Sequence, residues 1–125
     1  MPKKILIIDD EEDMRIYLQT LLRKAGYQTE IAVNGEEALE KTKTIEPDLI
    51  TLDILMPKKS GLNFFKSLRQ DEQIGNIPIV IVSGISRHNE FFENETQKGR
   101  IVFIEKPIKP DSFLAIIEEM LKSHS

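Results

Sequence analysis

Cysteine is absent from the 125 residues of this chain. Disulfides, thiolate metal centres and cysteine nucleophiles are therefore excluded, and a cytoplasmic location is compatible with the composition. Histidine is nearly as scarce: His88 and His124 are too few for a multi-histidine metal site. No apolar run reaches the roughly 18 residues that a membrane-spanning helix needs, so no membrane association is expected. "MPKKILII" places basic residues before a short apolar run, but "DDEED" interrupts it and no small-residue cleavage site follows. It does not read as a signal peptide. Basic charge is also in short supply. The formal net charge is -4, and "MPKK" and "PKKSG" are too short to form a patch. Direct nucleic-acid binding, which needs a basic footprint, is not expected. Repeats and low-complexity segments are absent as well.

What remains is an ordinary globular composition, 40% apolar and 30% charged, at the size of one domain spanning 1–125. Five short apolar runs punctuate it: "KILII" (4–8), "QTEIAV" (28–33), "DLITL" (48–52), "IPIVIV" (77–82) and "RIVFI" (100–104). Four are nearly continuous in apolar character, as strands covered on both faces are. The second alternates, with Thr29, Ile31 and Val33 on one side, and reads as an edge strand. Helical patterns fill the intervals. Met14, Leu18, Leu21, Leu22 and Ala25 recur at helical spacing before Gly26. Asn34 is placed to cap a helix that turns Ala38 and Leu39 inward. Ser60 is placed to cap one carrying Leu62, Phe64, Phe65 and Leu68. Pro110 suits the first turn of a last helix with the stripe Phe113, Ile116, Ile117, Met120 and Leu121. The interval "SRHNEFFENETQKG" is polar, with Phe91 and Phe92 as its only large apolar residues, and is expected to form a short or poorly packed fourth helix. Alternation of this kind predicts a doubly wound α/β fold, an open parallel sheet with helices on both faces.

In such sheets ligands bind beyond the carboxyl ends of the strands. Asp9 and Asp10 follow the first run, Asp53 the third, Ser83 and Gly84 the fourth, and Glu105, Lys106 and Pro107 the fifth. Carboxylates about 4 Å apart repel by about 4 kcal/mol at an effective dielectric near 20. A hard divalent cation such as Mg²⁺, which takes oxygen ligands and keeps several waters, fits such a pocket. Asp53 ends a buried strand, where a carboxylate without a partner is costly. It has one oxygen for a metal and one free to attack an electrophile, as aspartate does in forming an aspartyl phosphate. That chemistry needs positive charge around the phosphoryl oxygens. Mg²⁺ and Lys106 can supply it, with the Ser83 hydroxyl and the Gly84 amide as further donors. Glu11, Glu12 and Asp13 read instead as a solvated helix start. Removing the Asp10 charge is expected to stabilise the metal-free protein.

The motifs "ILIIDDEE" (5–12), "LDILMPKKSG" (52–61), "IVIVSG" (79–84) and "FIEKP" (103–107), in this order, closely resemble the receiver domains of two-component response regulators. The resemblance covers essentially the whole chain and implies a flavodoxin-like strand order 2-1-3-4-5. It also implies that Asp53 is the phosphoacceptor and that Asp10, Asp53 and the Leu55 carbonyl bind Mg²⁺, with Asp9 acting mainly through water. Ser83 and Lys106 match the hydroxyl and ammonium that contact the phosphoryl group. Phe103 matches the aromatic position that swings inward on activation, and the bond before Pro107 is expected to be cis. Leu55 and Ile85 fill positions that tune loss of the phosphoryl group. "FFENETQKGRIVF" departs from the small-residue pattern common at the fourth helix and fifth strand.

The implied function is a phosphorylation-activated signalling switch. A histidine kinase or phosphorelay partner donates to Asp53, and the face of the fourth helix, fifth strand and last helix changes affinity for an output protein or domain. The chain would catalyse its own phosphorylation and dephosphorylation without being a conventional turnover enzyme. Three other readings are disfavoured. A haloacid-dehalogenase-type phosphatase places its nucleophile after the first strand, with a second Asp two positions on. A flavodoxin-like cofactor module would set a phosphate beside "DDEED". An interaction domain that had lost its chemistry would not retain the full acidic set.

Overall fold

The structure is a computed structural model; it describes residues 2–53, 61–71, 75–83 and 101–123, without the side chains at 61–63, 65, 83 and 123. The Ser60 cap, the loop at 54–60 and the helix expected between the fourth and fifth strands lie outside the described residues. Five parallel strands form one sheet: β1 (Lys4–Ile8), β2 (Gln28–Ala32), β3 (Leu49–Leu52), β4 (Ile79–Ser83) and β5 (Ile101–Glu105). Their order is β2-β1-β3-β4-β5, as the resemblance implies. Four helices are described: α1 (Glu12–Lys24), α2 (Gly35–Ile45), α3 (Gly61–Gln70) and α4 (Pro110–Ser123). None among the described residues is long and apolar enough to cross a membrane.

Side-chain alternation along the strands divides the core in two. Leu6, Ile8, Ile50, Leu52, Ile79 and Ile81 pack with Ala38 of α2 and with Phe64 and Leu68 of α3. Ile5, Ile7, Leu49, Val80 and Val82 pack with Leu18 and Leu22 of α1 and with Phe113 and Ile117 of α4. The three central strands are buried on both faces, which accounts for their unbroken apolar runs. β5 differs from its expectation. Only Ile101 is fully buried, and Val102, Phe103 and Ile104 are partly so, because the strand forms an edge of the sheet.

Local chemistry fixes the helix ends. Asn34 Oδ1 accepts the Glu37 amide at 2.8 Å, the expected N-cap of α2. α1 carries Glu12 and Asp13 in its first turn and Arg23 and Lys24 in its last, both favourable to the helix dipole. It ends in a Schellman motif: the Tyr27 amide donates to the Leu22 carbonyl and the Gly26 amide to that of Arg23. Gly26 adopts φ 99°, which a side chain would strain. Ala25 is the exposed C-cap residue rather than part of the buried stripe, since the chain leaves the helix there.

β2 is an edge strand, and one carbonyl on its outer side is held by a side chain. The Ala32 carbonyl accepts the Asp9 amide of the neighbouring chain segment, so the carbonyl of Ile31 points away from the sheet. The Lys41 ammonium of α2 donates to it at 2.6 Å. Thr29 Oγ1 accepts from both Gln19 Nε2 and Arg23 Nε, at 3.3 and 2.8 Å.

Thr51 is the exception inside the core. It is buried between Ile7 and Val80, both members of the second apolar cluster, and its hydroxyl has no hydrogen-bond partner among the described residues. A buried hydroxyl left unpaired costs about 1–3 kcal/mol. Thr51→Val, which replaces that hydroxyl with a methyl group, should raise stability by about 1 kcal/mol, read as an increased urea midpoint at unchanged slope.

Candidate functional site

β1 and β3 are neighbours in register, with Ile8 opposite Leu52. The residues that follow them therefore emerge side by side. The Asp53 amide continues the ladder by donating to the Ile8 carbonyl at 3.0 Å, and the Asp9 amide donates to Ala32 at 3.1 Å. Backbone pairing thus holds both residues as rigidly as the strands themselves. Their carboxyl groups are buried, Asp9 at 2% exposure and Asp53 at 5%.

Asp10 and Glu11 complete a cluster with them. Each of the four residues offers a carboxylate oxygen within 4.8 Å of the others, Asp10 and Glu11 from exposed positions at the rim. Around one Mg²⁺ with bonds near 2.05 Å, octahedral ligand oxygens sit about 2.9 Å apart when adjacent and about 4.1 Å apart when opposite. The spread of this cluster is close enough to those values for a small closure to bring its oxygens onto one ion, and its all-oxygen donors are those a hard cation takes. The residues present fit a divalent cation.

Lys106, just past β5, brings the opposing charge. Its Nζ lies 3.6 Å from Asp53 Oδ2 and 3.7 Å from Glu11 Oε1. The Lys106–Pro107 peptide bond is cis, as expected. Arg15 Nη1 donates to the Asp9 carbonyl at 3.0 Å, and the Glu11 amide donates to Asp9 Oδ1 at 2.9 Å, so Asp9 is anchored at backbone and side chain.

Burial pushes the Asp9 carboxyl above its ordinary value of 3.8. The Glu11 amide opposes that rise, the Asp53 charge adds to it, Lys106 opposes it and Glu11 adds to it again. The cost of crowding was expected at Asp10. The structure buries Asp9 and leaves Asp10 exposed, because Asp9 directly extends the strand whereas Asp10 begins the turn into α1.

Of the other expected site residues, Ser83 ends β4 opposite Glu105, at the same sheet edge. Its side chain, Gly84, Leu55 and Ile85 lie outside the described residues. Phe103 pairs with Ile81 and packs against the cluster on the α2–α3 side of the sheet. Glu11, read as part of a solvated helix start, is indeed exposed at the start of α1, and it also reaches Lys106 and joins the carboxylate cluster. It occupies the N-cap position of α1, yet its side chain caps nothing. A residue three places past a strand end, with the wrong side chain for a cap, was the available signal.

The family model described as the response regulator receiver domain matches residues 5–118. The chain is 33% identical over 123 residues to the chemotaxis protein CheY of Thermotoga maritima, covering 98% of this chain and 100% of that one. It is 36% identical over 124 residues to PhoP, the alkaline phosphatase synthesis transcriptional regulatory protein of Bacillus subtilis. That match covers 98% of this chain and 50% of the longer regulator. Among solved structures, the Vibrio cholerae chemotaxis protein CheY4 superposes with a TM-score of 0.83 at 28% identity, covering 96% of this chain and 99% of that one.

The Asp9 environment fixes the sign of a pH effect. Its raised value means that, between the unfolded and folded values, the metal-free folded state binds more protons at this group than the unfolded chain does. The stabilisation present below the unfolded value near 3.8 is therefore lost as pH rises through the folded value. Asp9→Asn keeps an oxygen for the Glu11 amide and removes the charge. Without metal, this variant should be more stable than the parent at neutral pH. The gap should close towards pH 4. Urea midpoints in chelator across that range check both statements.

Proposed function

We propose, from the premise that this chain belongs to the response regulator receiver family, that Asp53 is the residue through which it works as a phosphorylation-activated signalling switch. The single observation that carries the assignment is the buried Asp53 carboxylate, set on a rigid strand end with Lys106 3.6 Å away and three further carboxylates around it. Members of the family act with histidine kinases and output domains in two-component signalling. In this reading a kinase or phosphotransfer protein is the donor, and an output protein or downstream domain receives the signal through the surface around β5, α4 and the segment between β4 and β5.

The chemistry assigned to the site is phosphoryl transfer. A carboxylate oxygen of Asp53 attacks phosphorus in line with the donor's leaving oxygen. The new O–P bond forms as the donor's P–O bond breaks, and the leaving group departs with the bonding electrons. Asp10 and Asp53, with the Leu55 carbonyl, would hold Mg²⁺ directly and Asp9 would hold it through water. Bound there, the ion would neutralise charge on the transferring group. Lys106 is already beside the nucleophile and can follow the phosphoryl oxygens, while Ser83 and the Gly84 amide would be the further donors. Rigid placement supplies most of what the protein contributes, since little reorganisation is needed when charge moves onto Asp53. The chain would thereby catalyse its own modification and its reversal.

The switch then follows from charge. A phosphoryl group on Asp53 recruits Ser83, and Phe103 is the aromatic assigned to repack. The strand carrying Phe103 is an edge with partly buried residues, where a change of packing costs less than in the centre of the sheet. Cytoplasmic location and absence of direct nucleic-acid binding belong to the same reading.

Incubation with acetyl phosphate and Mg²⁺, followed by intact-mass measurement, should show one phosphoryl adduct on the parent. Asp53→Asn should show none. Normal labelling of that variant would overturn the assignment.

A further inference from the structure

Lys106 does not face Asp53 alone. Its ammonium stands 3.6 Å from Asp53 Oδ2 and 3.7 Å from Glu11 Oε1, so two carboxylates share one cation at nearly equal distance. The side chains differ in setting: Asp53 is 6% exposed, Lys106 22% and Glu11 65%. Glu11 thus reaches in from solvent to a half-enclosed ammonium. Its backbone is fixed independently, by donation of its amide to Asp9 Oδ1 at 2.9 Å. As the N-cap residue of α1 it makes no side-chain cap, a position where Ser, Thr, Asp or Asn would normally stabilise the helix. The side chain is turned to Lys106 instead of to its own helix.

We infer that Glu11 is a positioning residue for phosphoryl transfer: it tethers Lys106 at the mouth of the site, and an incoming phosphoryl group must compete with it for the ammonium. This inference rests on Asp53 being the phosphoacceptor. The reaction is the transfer already described, with the donor's leaving group departing as the Asp53 O–P bond forms. Glu11 takes no part in bond making. It sets how readily Lys106 passes to the oxygens of an anionic donor. Because Glu11 lies at the rim and Asp53 on the floor, the tether acts before the nucleophile is reached, at the stage of donor capture. It therefore makes the chain less responsive to small anionic donors in solution. A protein donor that contacts the rim can displace Glu11 with its own groups and release Lys106 as it docks.

The test measures labelling by acetyl phosphate at saturating Mg²⁺, the metal titrated separately for each variant so that altered ion affinity does not enter. Glu11→Gln removes the charge. Glu11→Asp keeps the charge but shortens the reach by one methylene. Both should label faster than the parent by about two- to fivefold at low donor concentration, the range that loss of one partly exposed ion pair to Lys106 allows. The gain should lie in the second-order rate constant, should shrink as the rate saturates with donor, and should leave the urea midpoint nearly unchanged, since the side chain is exposed. Glu11→Gln at or below the parental rate overturns the inference. So does Glu11→Asp labelling like the parent, which would make the effect one of general negative charge rather than of the tether to Lys106. Asp53→Asn run alongside separates the two levels: a parent that labels only when Asp53 is present upholds the acceptor whatever the Glu11 variants do. A parent labelled elsewhere removes the acceptor and the tether together.

Discussion

Two carboxylates buried next to each other constrain everything around them. Asp9 and Asp53 are brought together by the pairing of β1 with β3, and neither can be withdrawn without breaking a backbone hydrogen bond of the ladder. Burial and mutual repulsion therefore have to be relieved by what surrounds them. The Glu11 amide bonds one carboxylate, Lys106 lies against the other, and a divalent cation could take both. The site is a place where the fold accepts an unfavourable crowding of like charge, and that crowding favours a bound cation.

The topology explains why these groups meet although 44 positions separate Asp9 from Asp53 and 53 more lead to Lys106. Parallel strands all deliver their carboxyl ends to one edge, so residues just past β1, β3, β4 and β5 become neighbours without any long-range signal in the sequence between them. The two halves of the core share the central strands. Phe103 packs with the α2–α3 half, and the strands that carry Asp9 and Asp53 contribute side chains to both halves.

Much of this was legible before any coordinates. The continuous apolar character of the first, third and fourth runs marked central strands, and the alternation at 28–33 marked an edge. Asn34, Gly26 and Pro110 marked helix ends correctly because capping and backbone restrictions act over only a few residues. Asp53 announced itself as a charge ending an apolar run. Glu11 did not, because a carboxylate at a helix start already has an adequate explanation in the helix dipole, and only the position of Lys106 in space reveals the other. Asp9 and Asp10 are equivalent in the sequence; their unequal burial follows from where the ladder stops. Thr51 was hidden for a similar reason: a threonine in a strand is unremarkable until the described residues around it are seen to offer it no partner.

The outer side of β2 carries one more consequence. An edge strand with a free row of carbonyls invites another strand to add to it. Here the outward carbonyl of Ile31 is held by the ammonium of Lys41. A strand arriving on that side would have to displace an ammonium before making its own hydrogen bonds. The sheet is thus discouraged from growing at β2, where an added strand would gain its first hydrogen bond only by giving up an existing one.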